Sequence, residues 1–234
     1  MRKWMMRRLL PTLGAALLLF ALYEYFTLPR SSAIRSLATV NPRSTALMSQ
    51  REEEARGQRK SYKPQRQWVP LSQISDHLVH AVIVGEDGTF YEHEGFDWYE
   101  VKESIKKDIE KGRLARGGST ITQQLAKNLY LTTSKDPVRK LKELIITARL
   151  EDELSKARIL ELYLNSIEWG DAVFGAEAAS LLYFGKHASE LSREEAARLA
   201  ASVPSPLKHN PARADRFMAY GTAVILGRME GRGW

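Results

Sequence analysis

Hydrophobic positions divide the chain into one unbroken apolar run, a polar stretch, and a long succession of helical repeats. The run extends from Leu9 to about Leu28, about 20 residues, the length a helix needs to cross a bilayer. Residues 29–67 are polar and irregular, with Ser31, Ser32, Pro42, Gly57, Pro64 and a mixed charge run from Arg51 to Lys63. They read as a tether with room to pack partly on the domain. From residue 68 onward helical spacing dominates. Ser72 or Ser75 caps a helix through Leu78, Val79, Val82 and Ile83 toward Gly85. Leu141, Leu144, Ile145, Ala148 and Leu154 keep the same period, as do Ile159, Leu160, Tyr163 and Leu164, and two further helices are expected over 192–202 and 212–229. Strand alternation is scarce, so residues 68–234 are expected to form one mainly α domain of about 165 residues.

Charge changes the picture of the amino-terminal part. Arg2, Lys3, Arg7 and Arg8 precede the apolar run, which puts residues 1–8 in the cytoplasm, makes 9–28 a single transmembrane helix, and places everything after it on the periplasmic or extracellular side of the inner membrane. A cleaved signal peptide is the competing reading, but the run is long for one and no clear small-residue cleavage site follows it. The net charge of +7 is unevenly spread. Residues 1–66 hold 13 Lys and Arg against 4 Asp and Glu, whereas residues 67–234 hold 22 against 24. The globular part is therefore not basic, which removes the case for nucleic acid and assigns the excess to topology and anionic lipid headgroups. The absence of cysteine excludes disulfides, thiolate metal sites and cysteine nucleophiles.

The segment Gly117-Gly118-Ser119-Thr120-Ile121-Thr122-Gln123-Gln124-Leu125-Ala126-Lys127-Asn128 concentrates candidate chemistry. Its glycines permit close backbone approach, and Thr120 with Gln123 has the spacing of a capping box, so a helix begins there with its first amides facing the loop. Gln123 and Lys127, like Gln124 and Asn128, are four apart and share a helical surface behind the positive end of the dipole. That arrangement suits a phosphate or diphosphate. An ordinary capped helix with a solvated polar face has the same local pattern.

Upstream, Glu86-Asp87-Gly88-Thr89-Phe90-Tyr91-Glu92-His93-Glu94-Gly95 follows an apolar helix, which puts two carboxylates at a helix carboxyl end, where they are electrostatically unfavourable. That cost points to function in a cleft, although a solvated turn tolerates it. His93 is suited to positioning a carboxylate or ligating a metal. The five histidines, at 77, 80, 93, 187 and 209, form no H-E-x-x-H pattern, so no zinc site is expected. Downstream, Arg139 and Glu143 are four apart, an ordinary helical ion pair or a cation set with a second carboxylate. In Lys156-Ala157-Arg158-Ile159-Leu160-Glu161-Leu162-Tyr163-Leu164-Asn165 the polar residues Lys156, Glu161 and Asn165 surround a helix of core positions, where structural duty is the simpler role.

Together these clusters resemble, in order and spacing, the family 51 glycosyltransferases, the peptidoglycan glycosyltransferases. The motif E-D-x-x-F-x-x-H-x-G matches at Glu86 to Gly95, G-G-S-T-I-T-Q-Q-x-x-K-N at Gly117 to Asn128, R-K-x-x-E at Arg139 to Glu143, and K-x-x-I-L-E-x-Y-L-N at Lys156 to Asn165. A fifth match runs from Glu195 through Pro204 to Asn210 and Pro211. The resemblance implies a lysozyme-like helical head with a smaller membrane-proximal jaw, for which Phe96 to Arg116 is the candidate, and no transpeptidase domain. It implies polymerisation of lipid II, with Glu86 as general base and Glu143 as second carboxylate, positioned to orient groups or hold a divalent ion (Mg²⁺ or Mn²⁺).

By the same resemblance Lys127, Arg139 and Lys140 hold the leaving diphosphate, while Ser119 and Gln124 align sugars and phosphate. Asp87, Gly118, Thr120, Asn128 and Lys135 complete the binding set, and Phe90, His93, Lys156, Glu161 and Asn165 support it. Lys135 stands where the family usually carries arginine, which keeps the charge but loses the bidentate fork. The implied partners are lipid II, the growing lipid-linked strand, membrane lipids and cell-wall synthesis proteins. Two other classes share some features: a membrane-anchored muramidase, which would gain nothing from the cation set, and a non-catalytic scaffold binding anionic lipid.

Overall fold

The computed structural model describes residues 14–16, 18–98, 102, 118–134, 136–213 and 215–234. Helices dominate, as the periodicity requires. In chain order they are α1 (Ser31–Ser36), α2 (Ala46–Gly57), α3 (Asp76–Glu86), α4 (Ile121–Tyr130), α5 (Pro137–Glu153), α6 (Lys156–Ser166), α7 (Ala176–Phe184), α8 (Arg193–Ser202) and α9 (Arg216–Glu230). Three short strands, β1 (Gln65–Arg66), β2 (Glu168–Gly170) and β3 (Val173–Phe174), form one sheet in the order β1-β3-β2, with β1 parallel and β2 antiparallel to β3.

Helix starts follow the local chemistry. Ser75, not Ser72, caps α3 by accepting from the amide of His77, and Leu71–Gln73 forms a separate 3₁₀ turn. Thr120 and Gln123 close a reciprocal capping box at α4, and Ser192 with Glu195 does the same at α8. Asp136 accepts from Arg139 N ahead of Pro137, the first residue of α5. The last helix begins later than its pattern suggested. Asp215 accepts from the amide of Met218, so Ala212, Arg213 and Asp215 precede α9 and are not in its first turn.

Residues 29–67 depart furthest from the irregular tether expected of them. Helices α1 and α2 and strand β1 lie within this stretch. Ile34 and Leu37 belong to the main core, and Leu47 and Met48 pack with Phe174 in a smaller cluster. Side chains reach across as well: Arg35 pairs with Glu153, Arg51 with Glu168, and Arg66 donates to the carbonyl of Asn165. The core itself centres on Trp169, Tyr163, Phe90, Phe174, Leu78, Ile83, Ile121, Leu125 and Ile146, all fully buried. Helix α4 packs against α5 and α6, and α3 against α8 and α9. The carboxyl end of α3 is thereby brought to the amino end of α4.

The apolar run is only partly within the described residues. Residues 18–26 are helical, and Leu18, Leu19, Phe20, Leu22, Tyr23, Tyr25 and Phe26 are exposed. No helix among the described residues is long and apolar enough to cross a membrane. Most of the segment from Phe96 to Arg116, the candidate jaw, lies outside the described residues, as do Gly117 and Lys135.

Candidate active site

The end of α3 and the start of α4 meet through one carboxylate. Asp87, the residue that ends α3, is buried, and its Oδ2 accepts from the backbone amide of Ile121 at 2.9 Å. A negative charge that would be unfavourable at the end of α3 alone is thus placed on the positive end of α4. Its Oδ1 lies 2.9 Å from His93 Nε2, and His93 Nδ1 accepts from the amide of Gly95 at 3.0 Å. Because Nδ1 is an acceptor, Nε2 carries the hydrogen and donates to Asp87. Gly95 closes the loop. It has φ +84°, and a Cβ there would lie 2.7 Å from Thr147 Cγ2, so only glycine fits. Its carbonyl accepts from Thr120 Oγ1 at 2.8 Å.

This network engages two of the amides at the amino end of α4. The amide of Ile121 is taken by Asp87 and that of Gln123 by Thr120 Oγ1 at 3.2 Å. The anion at the amino end of α4 is therefore the protein's own carboxylate. Asp87 and Thr120, both assigned to the binding set, pin α3, the Gly95 loop and α4 together. Gly118 and Ser119 stand exposed at the entrance to α4, free of that duty.

Glu86 is the last residue of α3 and is partly buried. Its Oε2 accepts from Gln124 Nε2 at 2.7 Å, and Gln124 Oε1 accepts from the hydroxyl of the fully buried Tyr163 at 3.0 Å. Burial raises the Glu86 carboxyl above the usual carboxylate range, against the opposing pull of the Gln124 hydrogen bond and the Lys127 charge; Asp87 adds to the rise. Gln124, expected to align substrate, instead holds the proposed base. Tyr163 was read only as a core position, and the sole sign of more was a phenol on an otherwise apolar helical face.

Lys127 lies one turn beyond Gln123 on α4, and burial pushes its ammonium below the ordinary lysine value. Glu143 and Glu86 counter that effect, while Arg139 and Lys140 add to it. Among the described residues its ammonium has no hydrogen bond or ion pair. Asn128, next in sequence, is buried, and its side chain likewise forms no hydrogen bond among the described residues.

On α5 the buried Glu143 takes Arg139 Nη1 on one carboxylate oxygen and Lys140 Nζ on the other. Arg139 also donates through Nε to the carbonyl of Ser134 at 2.5 Å. With both oxygens engaged by cations, Glu143 does not suit Mg²⁺ or Mn²⁺ in this arrangement. No three His, Asp or Glu side chains converge as a metal site among the described residues.

The supporting residues separate into two groups. Lys156 stacks 4.7 Å over the ring of the buried Phe90 and pairs with Glu151 at 2.9 Å, and Glu151 also accepts from Thr122 Oγ1 at 2.5 Å. These tie α4, α5 and α6 together behind the Asp87 loop. Glu151 and Thr122 were not anticipated. Glu161 and Asn165 face elsewhere: Glu161 accepts from the amide of Leu71 at 3.0 Å, and Asn165 exchanges bonds with the backbone of Val69 at 3.0 and 2.9 Å. They fasten the entry segment of the domain to α6. A cavity of about 740 Å³ opens beside His93, lined also by Thr89, Glu92, Phe96, Asp97 and Trp98. A second, of about 430 Å³, has Arg139 and Lys142 among apolar walls that include Phe20, Leu28, Tyr130 and Ile146.

Comparison with known proteins decides the family. The profile of the family described as transglycosylase matches residues 52–230. The chain belongs to the transglycosylase family. It is similar to the biosynthetic peptidoglycan transglycosylase of Nitrosospira multiformis, with 52% identity over 189 residues, 81% of this chain and 82% of the relative. The protein of the same description from Dechloromonas aromatica is 48% identical over 81% of this chain and 82% of its own. That from Chromobacterium violaceum is 43% identical over 96% of this chain and 97% of its own. Membership of the transglycosylases makes the Glu86 and Lys127 side of the cleft the candidate centre for glycosyl transfer.

Proposed function

We propose that this transglycosylase polymerises lipid II into peptidoglycan glycan strands by inverting β-1,4 transfer, releasing undecaprenyl diphosphate. The observation that carries the reading is Glu86: a carboxylate whose proton affinity is raised by burial, held by a neutral amide, with Lys127 and the α5 cations close behind. Glu86 takes the proton from the 4-hydroxyl of the acceptor sugar, whose oxygen then forms a bond to the anomeric carbon of the lipid-linked strand. The bond from that carbon to the diphosphate breaks as the new one forms, so an α-linked donor gives a β product. A diphosphate leaves as a stabilised anion and needs cations more than a proton donor.

Lys127, with no pair of its own among the described residues, meets that anion directly. Arg139 and Lys140 reach it by giving up Glu143, so the diphosphate competes with a carboxylate already in place. Lys135 is the further cation assigned to this set from the sequence. Residues 9–28 are read as the membrane anchor with the amino terminus cytoplasmic, the described domain as the lysozyme-like head, and the segment around 99–117 as the jaw.

Purified protein in detergent with labelled lipid II tests the mechanism. Glu86→Gln is expected to lower polymerisation by roughly 10²- to 10⁴-fold, the usual contribution of a positioned base. Polymerisation by this variant at near wild-type rate would remove Glu86 from the role. A reporter fused after Trp234 tests the topology, and cytoplasmic activity of that reporter would overturn it.

A further inference from the structure

We infer that Tyr163 is a positioning residue for the reaction, fixing the polarity of the Gln124 amide so that its nitrogen always faces Glu86. The inference rests on the reading of Glu86 as the base. A glutamine side chain presents a donor and an acceptor of nearly identical shape, and rotation by half a turn exchanges them. Toward an ionised carboxylate the two orientations are opposite in effect: the nitrogen stabilises the charge, whereas the oxygen repels it.

Gln124 is gripped at both ends, 2.7 Å from Glu86 through Nε2 and 3.0 Å from the Tyr163 hydroxyl through Oε1. A phenol that donates on one side leaves the amide only one arrangement that satisfies both neighbours. Tyr163 is suited to this duty because it is fully buried on α6, with its ring held in the core and no rotamer freedom to follow a turning amide. Burial, together with the charges of Glu86 and Asp87, drives its phenol well above the ordinary tyrosine value, so the donor hydrogen persists across the working pH range.

The charged and titratable groups around Glu86 come from five helices. Lys127 on α4 lowers its proton affinity and Asp87 at the end of α3 raises it. Tyr163 approaches from α6 through Gln124. From α5, Glu143 with Arg139 and Lys140 acts on Lys127. From α9, Arg228 donates to the carbonyl of Val84 at 2.9 Å, and Arg232 lies beside Gly88. Of the side chains that favour the ionised base, Gln124 bonds to it and Lys127 acts through its charge, whereas Tyr163 acts through Gln124.

The test is the pH dependence of lipid II polymerisation by wild type, Tyr163→Phe, Gln124→Leu and the double variant, with Glu86→Gln alongside. Tyr163→Phe removes one oxygen. It is expected to lower kcat by ~3- to 10-fold, the worth of one hydrogen bond, with KM unchanged and the acid limb of the profile displaced to higher pH. Gln124→Leu is expected to displace the limb at least as far, and the double variant no further than Gln124→Leu alone, since both act through one amide. A wild-type acid limb in Tyr163→Phe, or penalties that multiply in the double variant, would overturn the inference. Should Tyr163→Phe not fold by circular dichroism, an unshifted limb in Gln124→Leu overturns it equally. If Glu86→Gln is inactive while Tyr163→Phe is silent, only the role of Tyr163 falls; an active Glu86→Gln removes the base itself.

Discussion

Glu86 and Glu143 are two carboxylates that both act on Lys127, in opposite company. Glu86 touches one neutral amide, and burial raises its affinity for a proton. Glu143 is gripped by a guanidinium on one carboxylate oxygen and an ammonium on the other. The difference fits the roles proposed for them: a base needs an affinity for protons, and a counter-ion needs cations in contact. Lys127 stands between them, a cation under electrostatic influence from both acids and bonded to neither.

Substitutions at these three positions should therefore move activity and stability in different directions. After the loss of activity expected of Glu86→Gln, the largest effect is expected at Lys127. Lys127→Met should lower kcat/KM for lipid II by roughly 10²- to 10³-fold, as loss of a preorganised charge at a leaving group does. Thermal unfolding should show no loss of stability, because burial disfavours the ammonium in the folded protein. A melting point that falls together with activity would mean that Lys127 is structural. Glu143→Gln comes next. It leaves Arg139 and Lys140 without their acceptor and should cost about 1 to 3 kcal/mol in chemical denaturation, the range for hydrogen bonds to charged groups. Unchanged stability would erase the distinction between the two acids.

The smallest effect is the pH dependence of stability at Glu86. Its folded proton affinity is raised, so its stabilising contribution is complete below the ordinary carboxylate range and is lost as pH rises through the folded value. Glu86→Gln should accordingly melt higher than wild type at pH 8, with the gap closing as pH falls through the acid range. A gap that widens toward acid would reverse the sign assigned to burial.

Local chemistry made much of this site legible. The Thr120 and Gln123 capping box, the Ser75 and Ser192 caps, and the placement of Glu86 at a helix end are all written in residues a few positions apart. What stayed hidden depends on pairing over distance. That Asp87 would take the amide of Ile121, 34 residues on, is invisible to any local pattern, and it puts one of the protein's own carboxylates at the amino end of α4. The Tyr163 bond to Gln124 spans 39 residues and looked like a core tyrosine. Helix α7 was missed because it is apolar nearly all round and starts at Gly175 without a side-chain cap, so it has neither a periodic face nor a start signal. Residues 31–66 look like a linker because most of them are polar and exposed, yet the buried Ile34, Leu37, Leu47 and Met48 fasten the stretch to the domain.

That last difference alters how far the catalytic centre can travel. An unstructured leash of about 40 residues would let a domain wander roughly 35 Å from its attachment point. Here Lys142 pairs with Glu24, Arg149 donates to the carbonyl of Pro29 at 2.8 Å, and Arg35 pairs with Glu153. These three fastenings run along α5, the same helix that presents Arg139, Lys140 and Glu143. A chain anchored through residues 9–28 would consequently carry its reaction centre at one height and one bearing over the bilayer, sweeping a small area and delivering each added sugar along a constant heading.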